Sequence, residues 1–499
     1  MTNRMSWKNL LSQESKSRRG RNKSINNNDL RTEFEKDYHR ILISASFRRL
    51  QDKTQVFPLD KNDFVRTRLT HSIEVSSFAK SIAQSISNRL INDKIDEEFT
   101  QEDAGFISDI LASAGLLHDI GNPPFGHFGE DTIRSWFNEK LDEITIENPV
   151  TNNMQKLSEI LTPQMCEDFK NFEGNAQAIR LVSKLHFLID ENGMNLTYAL
   201  LNTLIKYPGS SLEINKKSGD IKDKKMGYYF AEKDLFDSII EETGTLNKKT
   251  GKISRHPLTF LLEAADDIAY STADIEDGFK KDYITYEDLA KIVEPLKNEE
   301  NPSLCCYQKL VYYKERAIEK NYEKPEMYAV QRWIIFAQGY MINSAVSSFI
   351  NNYESIMHGE YKYDLFEETN SKELVKRLKG LAAKKIYRSF AIIKMEITAH
   401  NIISFFLEHF MNSVLYYDTP FNEKYLKGVD KRFLNIISDN YMHIYRYYTE
   451  KYIKNNEGES EEKLFAYKLY LRLLLVTDYI CGMTDTYAKT LYQELTGII

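Results

Sequence analysis

Residues 116–130, LLHDIGNPPFGHFGE, decide how this chain is read. In the apolar run leading into them, Ile107, Leu111, Ala114 and His118 fall at helical spacing, so His118 shares a face with the core stripe. The small residues Ala112, Ala114 and Gly115 admit a close helix neighbour, and Gly121 with Pro123 and Pro124 stops the helix. His118 and Asp119 therefore sit at a helix C-terminus, where free carbonyls and the negative end of the dipole favour a cation. Upstream, RTRLTHSIEVSSFAKSIAQSI places His71 on one face with Val75, Phe78 and Ile82. Downstream, LLEAADDIAYSTADIEDG carries Asp266 and Asp267 on a third apolar helix.

Taken singly, a buried histidine is usually a hydrogen-bonded core residue and an acidic pair is usually a solvated helix face. Together, two histidines and two or more carboxylates on separate apolar helices make up the ligand set of a divalent metal. Burying that set without a cation costs several kcal/mol or forces protonation, so a metal-assisted hydrolase is the leading reading. Asp266, Tyr270 and Asp274 are spaced by four and eight and line one helix face, with Asp267 about a quarter turn away, an order that suits an elongated substrate. In GHFGE, His127 and Glu130 lie three apart; a histidine held by a carboxylate is a natural proton carrier, and a capping turn with an incidental histidine fits the spacing equally. Arg68, one turn before His71, suits either a phosphate or a surface ion pair.

The 499 residues show no Pro, Gly or Ser linker, and helical spacing from Asp37 onward predicts an almost entirely α fold with no internal repeat. A net charge of -7 argues against a protein built wholly around nucleic acid or an anionic membrane. Cys166, Cys305, Cys306 and Cys481 have no CxxC spacing, so neither a zinc ribbon nor a disulfide framework is implied and a reducing cytosol fits. The start lacks an apolar signal core and no later run reads as long and uncharged enough to span a bilayer, so a soluble cytoplasmic protein with no membrane partner is expected. Residues 1–30 form a polar basic N-terminal arm, either a solvated tail or a binding arm. Between 207 and 256, KKSGDIKDKK and NKKTGK read as loops before Pro257 opens the next helix.

Six blocks in order, FRRLQDKTQVFPL, RTRLTHSIEV, HDIGNPPFGHFGE, FEGNAQAIRL, EAADDIAYSTADIEDG and DYICGMTDTYA, resemble the deoxyguanosinetriphosphate triphosphohydrolase family of the HD-domain superfamily. The resemblance implies an all-α HD core over residues 31–290 and a C-terminal helical region, 291–499, that completes the substrate pocket and oligomer contacts. It implies hydrolysis of a deoxynucleoside triphosphate, with dGTP the leading candidate, to the deoxynucleoside and inorganic tripolyphosphate. His71, His118, Asp119 and Asp266 would hold one divalent ion, Mn²⁺, Mg²⁺ or another transition metal; the residues alone leave Asp266 and Asp267 undecided. His127 with Glu130 would move the proton, either orienting the attacking water or protonating the 5′ oxygen. Arg68, Asn175, Lys206 and Lys225 match triphosphate contacts, Gln55 and Asp274 match contacts to the sugar 3′ hydroxyl, and Tyr270 would pack where a 2′ hydroxyl would stand. A homo-oligomer, often a hexamer, and a nucleotide or single-stranded DNA effector are also implied. Two other readings compete: an HD phosphohydrolase acting on a cyclic nucleotide or an alarmone, and a non-catalytic nucleotide or single-strand nucleic-acid binding protein that uses the SKSRRGRNK arm.

Overall fold

The computed structural model describes residues 4–17, 29–57, 59, 65–186, 190–297 and 305–498. Within them helix follows helix, and the only strands are the antiparallel pair Thr145–Glu147 and Met154–Lys156, with Ile146 opposite Gln155. The all-α expectation holds.

Two helices that run along each other, Arg68–Asn92 and Gln101–Leu117, form the centre. Each starts at a capping box, Thr67 with Thr70 and Thr100 with Asp103, which satisfies amide hydrogens that have no partner within the helix. Val75, Ala79, Ile82 and Ile86 on the first helix and Ile107, Leu111 and Ala114 on the second are fully buried, whereas Phe78 is only partly so. Gly115 sets how close the pair comes: a Cβ there would lie 2.5 Å from the Cα of Ser76, and Ser76 Oγ donates to the Ala112 carbonyl at 2.8 Å. That approach leaves the His71 and His118 rings 5.2 Å apart, centroid to centroid, edge on.

The third helix, Pro257–Lys280, packs against both and begins at a first-turn proline, as expected. Its N-cap is His256, fully buried, whose Nδ1 accepts from Leu258 N at 3.2 Å while Nε2 donates to the Leu10 carbonyl at 3.1 Å. Only a neutral imidazole can do both, and burial pushes its pKa down to about 4. The folded form thus prefers the unprotonated ring. Its contribution is complete above the ordinary value of 6.5 and is lost as pH falls from there towards 4, on the order of 3 kcal/mol across that window. His256→Asn keeps a capping acceptor and removes the titration, so urea unfolding at pH 7 and pH 4.5 is expected to show a smaller acid loss than in the parent. Equal losses in both proteins would assign the acid sensitivity elsewhere.

Two expectations need correcting. The first half of the basic arm is no solvated tail. Trp7, Leu10 and Leu11 are buried, Met5 N bonds to the Met357 carbonyl at 2.8 Å, and Trp7 Nε1 donates to Tyr353 Oη at 2.7 Å. Apolar residues among the polar ones anchor this stretch; the Arg-rich part, residues 18–28, lies outside the described residues. The helix Phe390–Val414, by contrast with the sequence reading, is long and apolar enough to cross a membrane by length and composition. Its second half is core: Ile402, Ile403, Phe406, Leu407, Phe410 and Met411 are buried and the helix packs against His127–Lys140, Gly428–Ile436 and Glu461–Cys481, whereas Phe390, Ile393 and Ile397 near its start are exposed.

Buried ionic bonds join two distant sequence blocks. Arg180, at the end of Gly174–Arg180, forks onto Asp478 of Glu461–Cys481 through Nε–Oδ1 at 2.8 Å and Nη2–Oδ2 at 2.7 Å, and its Nη1 reaches Glu232 at 2.8 Å. Gln177 adds a bond to Asp478 Oδ1 at 2.9 Å. FEGNAQAIRL and DYICGMTDTYA thus share one physical purpose, since through Arg180 neither carboxylate is buried without a cation.

Candidate active site

The three helices bring His71, His118, Asp119 and Asp266 to one point. The ligand atoms of His71, His118 and Asp119 lie within 4.8 Å of one another, and Asp266 Oδ1 stands 3.3 Å from His71 Nε2 and 3.5 Å from His118 Nε2. Asp267 turns away and pairs with Lys379 at 2.6 Å. His118 Nδ1 donates to the Gly115 carbonyl at 2.8 Å, which leaves the lone pair on Nε2. That nitrogen is buried, has no hydrogen-bond partner, and faces Asp119 Oδ2 at 3.7 Å as well as Asp266.

The carboxylates themselves are not uncompensated, which corrects the charge expectation drawn from sequence. Arg68 Nη1 pairs with Asp119 Oδ2, and Lys206 Nζ pairs with Asp266 Oδ2 at 3.1 Å. Burial opposes ionisation of Asp119 and Asp266, yet Arg68 and Lys206 outweigh it and hold both below the usual carboxylate range. Burial likewise opposes protonation of His118, and Asp119 and Asp266 override it to raise its pKa. The metal inference therefore rests on the histidines. A buried imidazole lone pair directed at two carboxylate oxygens is repulsive unless a proton or a cation stands between them, and a divalent ion suits the mixed nitrogen and oxygen donors. The residues present fit the ion that the family's chemistry needs.

Beside this floor, His127 Nδ1 and Glu130 Oε2 are 2.9 Å apart, with Glu130 buried and His127 72% exposed to the cleft. Glu130 Oε1 accepts from Gly174 N at 2.7 Å, which fixes the carboxylate. The bond to Glu130 raises the His127 pKa above its ordinary value against the opposing effect of desolvation. The preceding loop is bent through Phe125 at φ +63° and Gly126 at +58°, and a side chain at Gly126 would strike the Arg68 guanidinium. Asp485 holds that bend: its Oδ1 accepts from Phe125 N at 2.8 Å and its Oδ2 from Thr54 N at 2.9 Å. Lys53, fully enclosed, donates to the carbonyls of Asn122 and Cys481, each at 2.6 Å, and Asn122 Nδ2 in turn bonds Asp119 Oδ1 at 2.7 Å. The C-terminal helices thus brace the loop that carries the HD pair.

Above the floor opens a cleft of about 480 Å³ whose walls include Gln55, Arg68, Asn175, Lys206, Lys225 and Tyr270. Asp274 is not on the wall. It is 1% exposed, and Tyr387 lies between, bonding through its hydroxyl to Asp274 Oδ2 and to the Tyr270 hydroxyl. Burial pushes the Asp274 carboxyl up to about 7. Sequence reasoning assigned no role to Glu173, Tyr207, Lys379 or Tyr387, all of which line the cleft. Glu173 is buried and pairs with Lys225 at 2.8 Å and Asn175 Nδ2 at 2.7 Å. Its place in FEGNAQAIRL was a signal; Lys379 and Tyr387, on an ordinary amphipathic stretch, offered none.

A family model described as the HD domain matches residues 68–204, which hold three of the four floor residues. A deoxyguanosinetriphosphate triphosphohydrolase-like protein of Listeria innocua is 49% identical over 99% of this chain and 100% of its own length. Similar too are proteins called deoxyguanosinetriphosphate triphosphohydrolase in Serratia proteamaculans, 34% identical over 94% of each chain, and in Klebsiella pneumoniae, 33% identical over 93% of this chain and 94% of the relative. Likeness that runs end to end, across the C-terminal braces as well as the HD floor, means that this chain belongs to the deoxyguanosinetriphosphate triphosphohydrolase family of HD-domain proteins.

Proposed function

We propose that this protein hydrolyses deoxynucleoside triphosphates, dGTP foremost, to the deoxynucleoside and inorganic tripolyphosphate. The observation that carries the reading is a single cleft in which Asp119 and Asp266, with His71 and His118 buried behind them, lie beside Arg68, Lys206 and Lys225 and beside a histidine held by a buried glutamate. Arg68 and Lys206 are paired with acidic residues that would themselves bind the ion, so both cations are placed to turn to a triphosphate.

In the proposed reaction a water oxygen attacks the α-phosphorus, the bond to the 5′ oxygen breaks, and that oxygen takes a proton. His71, His118, Asp119 and Asp266 would hold the divalent ion, Mn²⁺ or Mg²⁺, which when bound polarises the phosphoryl group and acidifies water. Arg68 and Lys206 bind and orient the phosphates, with Lys225 and Asn175 at the outer end. His127, its protonated form favoured by Glu130, donates to the departing 5′ oxygen. Lys379 and Tyr387 on the cleft wall support a C-terminal region that completes the pocket. By the same family resemblance we assign a homo-oligomeric, cytoplasmic enzyme. Incubation with each dNTP and Mn²⁺, with phosphate products resolved, is expected to yield tripolyphosphate. Pyrophosphate, monophosphate or no turnover would each overturn the reading.

Sugar selection follows from Tyr270, whose ring stands on the cleft wall one turn beyond Asp266 and is tied to Tyr387 and, through it, Asp274. Excluding a 2′ hydroxyl by collision or lost hydration is worth about 1–3 kcal/mol. Tyr270→Ala is expected to lower the dGTP/GTP ratio of kcat/KM by roughly tenfold, whereas Tyr270→Phe, which keeps the ring, holds the ratio. A ratio unchanged in Tyr270→Ala on folded protein would remove Tyr270 from the sugar site.

A further inference from the structure

A second cleft, about 600 Å³, adjoins the first and shares Glu173, Tyr207 and Lys225 with it. Its other charged lining residues are Asp131, Arg134, Lys216 and Lys224. Arg134 is paired with Asp131, and Lys225 with Glu173 at 2.8 Å. No carboxylate stands within ion-pair distance of Lys216 or Lys224 among the described residues, so the cleft carries two uncompensated positive charges. Both lysines sit on the KKSGDIKDKK loop, which is held in place: Asn215 N bonds to Asp223 O at 2.8 Å, Ile221 N to Lys362 O at 3.0 Å, Gly227 N to Gly209 O at 2.9 Å, and Lys222 Nζ to Ile253 O at 3.1 Å. An ordered loop presents its charges without paying the ordering entropy on binding. The junction is Lys225, which belongs to both clefts and stands at the phosphate end of the first.

We propose that this lysine-lined cleft is a subsite for a linear condensed phosphate, used by inorganic tripolyphosphate as it leaves the active site. The inference rests on the proposed reaction and extends it: the reading of the first cleft ends at Lys225, and nothing in it requires Lys216 or Lys224. A chain with several negative charges released beside Lys206 and Lys225 meets the two free ammonium groups next along its way out. Opposite charge at a cleft mouth lowers the barrier to leaving the metal floor and equally lets the free product bind back.

The test uses the whole 499-residue chain and its Lys216→Ala/Lys224→Ala variant, both side chains being exposed, with circular dichroism as the check that the variant folds as the parent does. Inorganic tripolyphosphate is the probe, at fixed free Mn²⁺. The variant is expected to show an inhibition constant for tripolyphosphate raised at least about fivefold, with a weaker dependence on salt, while kcat/KM for dGTP stays within about twofold. Unchanged inhibition overturns the subsite. So does a rise in KM for dGTP by the same factor, because the lysines would then serve the incoming triphosphate tail. Direct calorimetric binding of tripolyphosphate to both proteins separates this from the underlying reading: weaker binding to the variant in a parent that makes no tripolyphosphate would keep the subsite and discard the reaction.

Discussion

Asp266→Ala is expected to abolish turnover, by about a thousandfold or more, and to strip the purified protein of its divalent ion, because the floor loses the carboxylate oxygen that stands 3.3 Å from His71 and 3.5 Å from His118. The same side chain has a second role that sequence spacing did not reveal. Its Oδ2 holds Lys206, so alanine leaves a nearly enclosed ammonium without its partner, a loss of about 3 kcal/mol in folding stability. Asp266→Asn keeps the shape and part of that contact and separates the two effects: it should fold closer to the parent and still lack the metal. Asp267→Ala is the control. That carboxylate pairs with Lys379, so metal content is expected to stay and the cleft wall at Lys379 to change instead. Full metal content with full activity in both Asp266 variants would show that the floor is not the metal site.

His127→Ala is expected to lower kcat by about a hundredfold or more while metal content and KM hold, the scale of a lost proton-transfer group. The raised pKa of His127 defines the sign of the pH effect. A group needed in its protonated form is available below its pKa, so the parent's kcat should fall on the alkaline side, with a midpoint above the ordinary 6.5. The alanine variant should lose that limb. Glu130→Gln should move it to lower pH, since the carboxylate that favours the imidazolium is gone. A defect seen only in KM, or an alkaline limb that survives in His127→Ala, would make His127 a positioning residue.

Much of this site was legible in the chain because helical periodicity converts spacing into direction. His71 and His118 lay on apolar stripes, and the structure buries both. The GHFGE spacing permitted a bond between His127 and Glu130, and the two side chains are within 2.9 Å. The same logic ordered Asp266, Tyr270 and Asp274 along one face of a helix that is continuous from Pro257 to Lys280. Spacing on a single helix, however, says nothing of what another helix inserts between its side chains. Tyr387 comes from far along the chain, takes the Asp274 carboxylate, and keeps it off the cleft wall.

The sequence by itself determined the helical class and offered the H, HD and D candidates, with Asp266 and Asp267 both open, and a spacing that permits a histidine-carboxylate pair, since each depends on residues a few positions apart or on motifs whose order is linear. Only the tertiary structure decided which acidic residue faces the histidines, that Arg68 and Lys206 already balance the carboxylates, and that Lys53 and Asp485 tie the C-terminal helices to the HD loop. It also turned part of a polar arm into an anchor and the second half of an apolar helix into core. These are contacts between segments tens to hundreds of residues apart. Their partners are selected by packing and by the cost of leaving a buried charge or hydrogen-bonding group alone, and those costs are defined only once the helices have met.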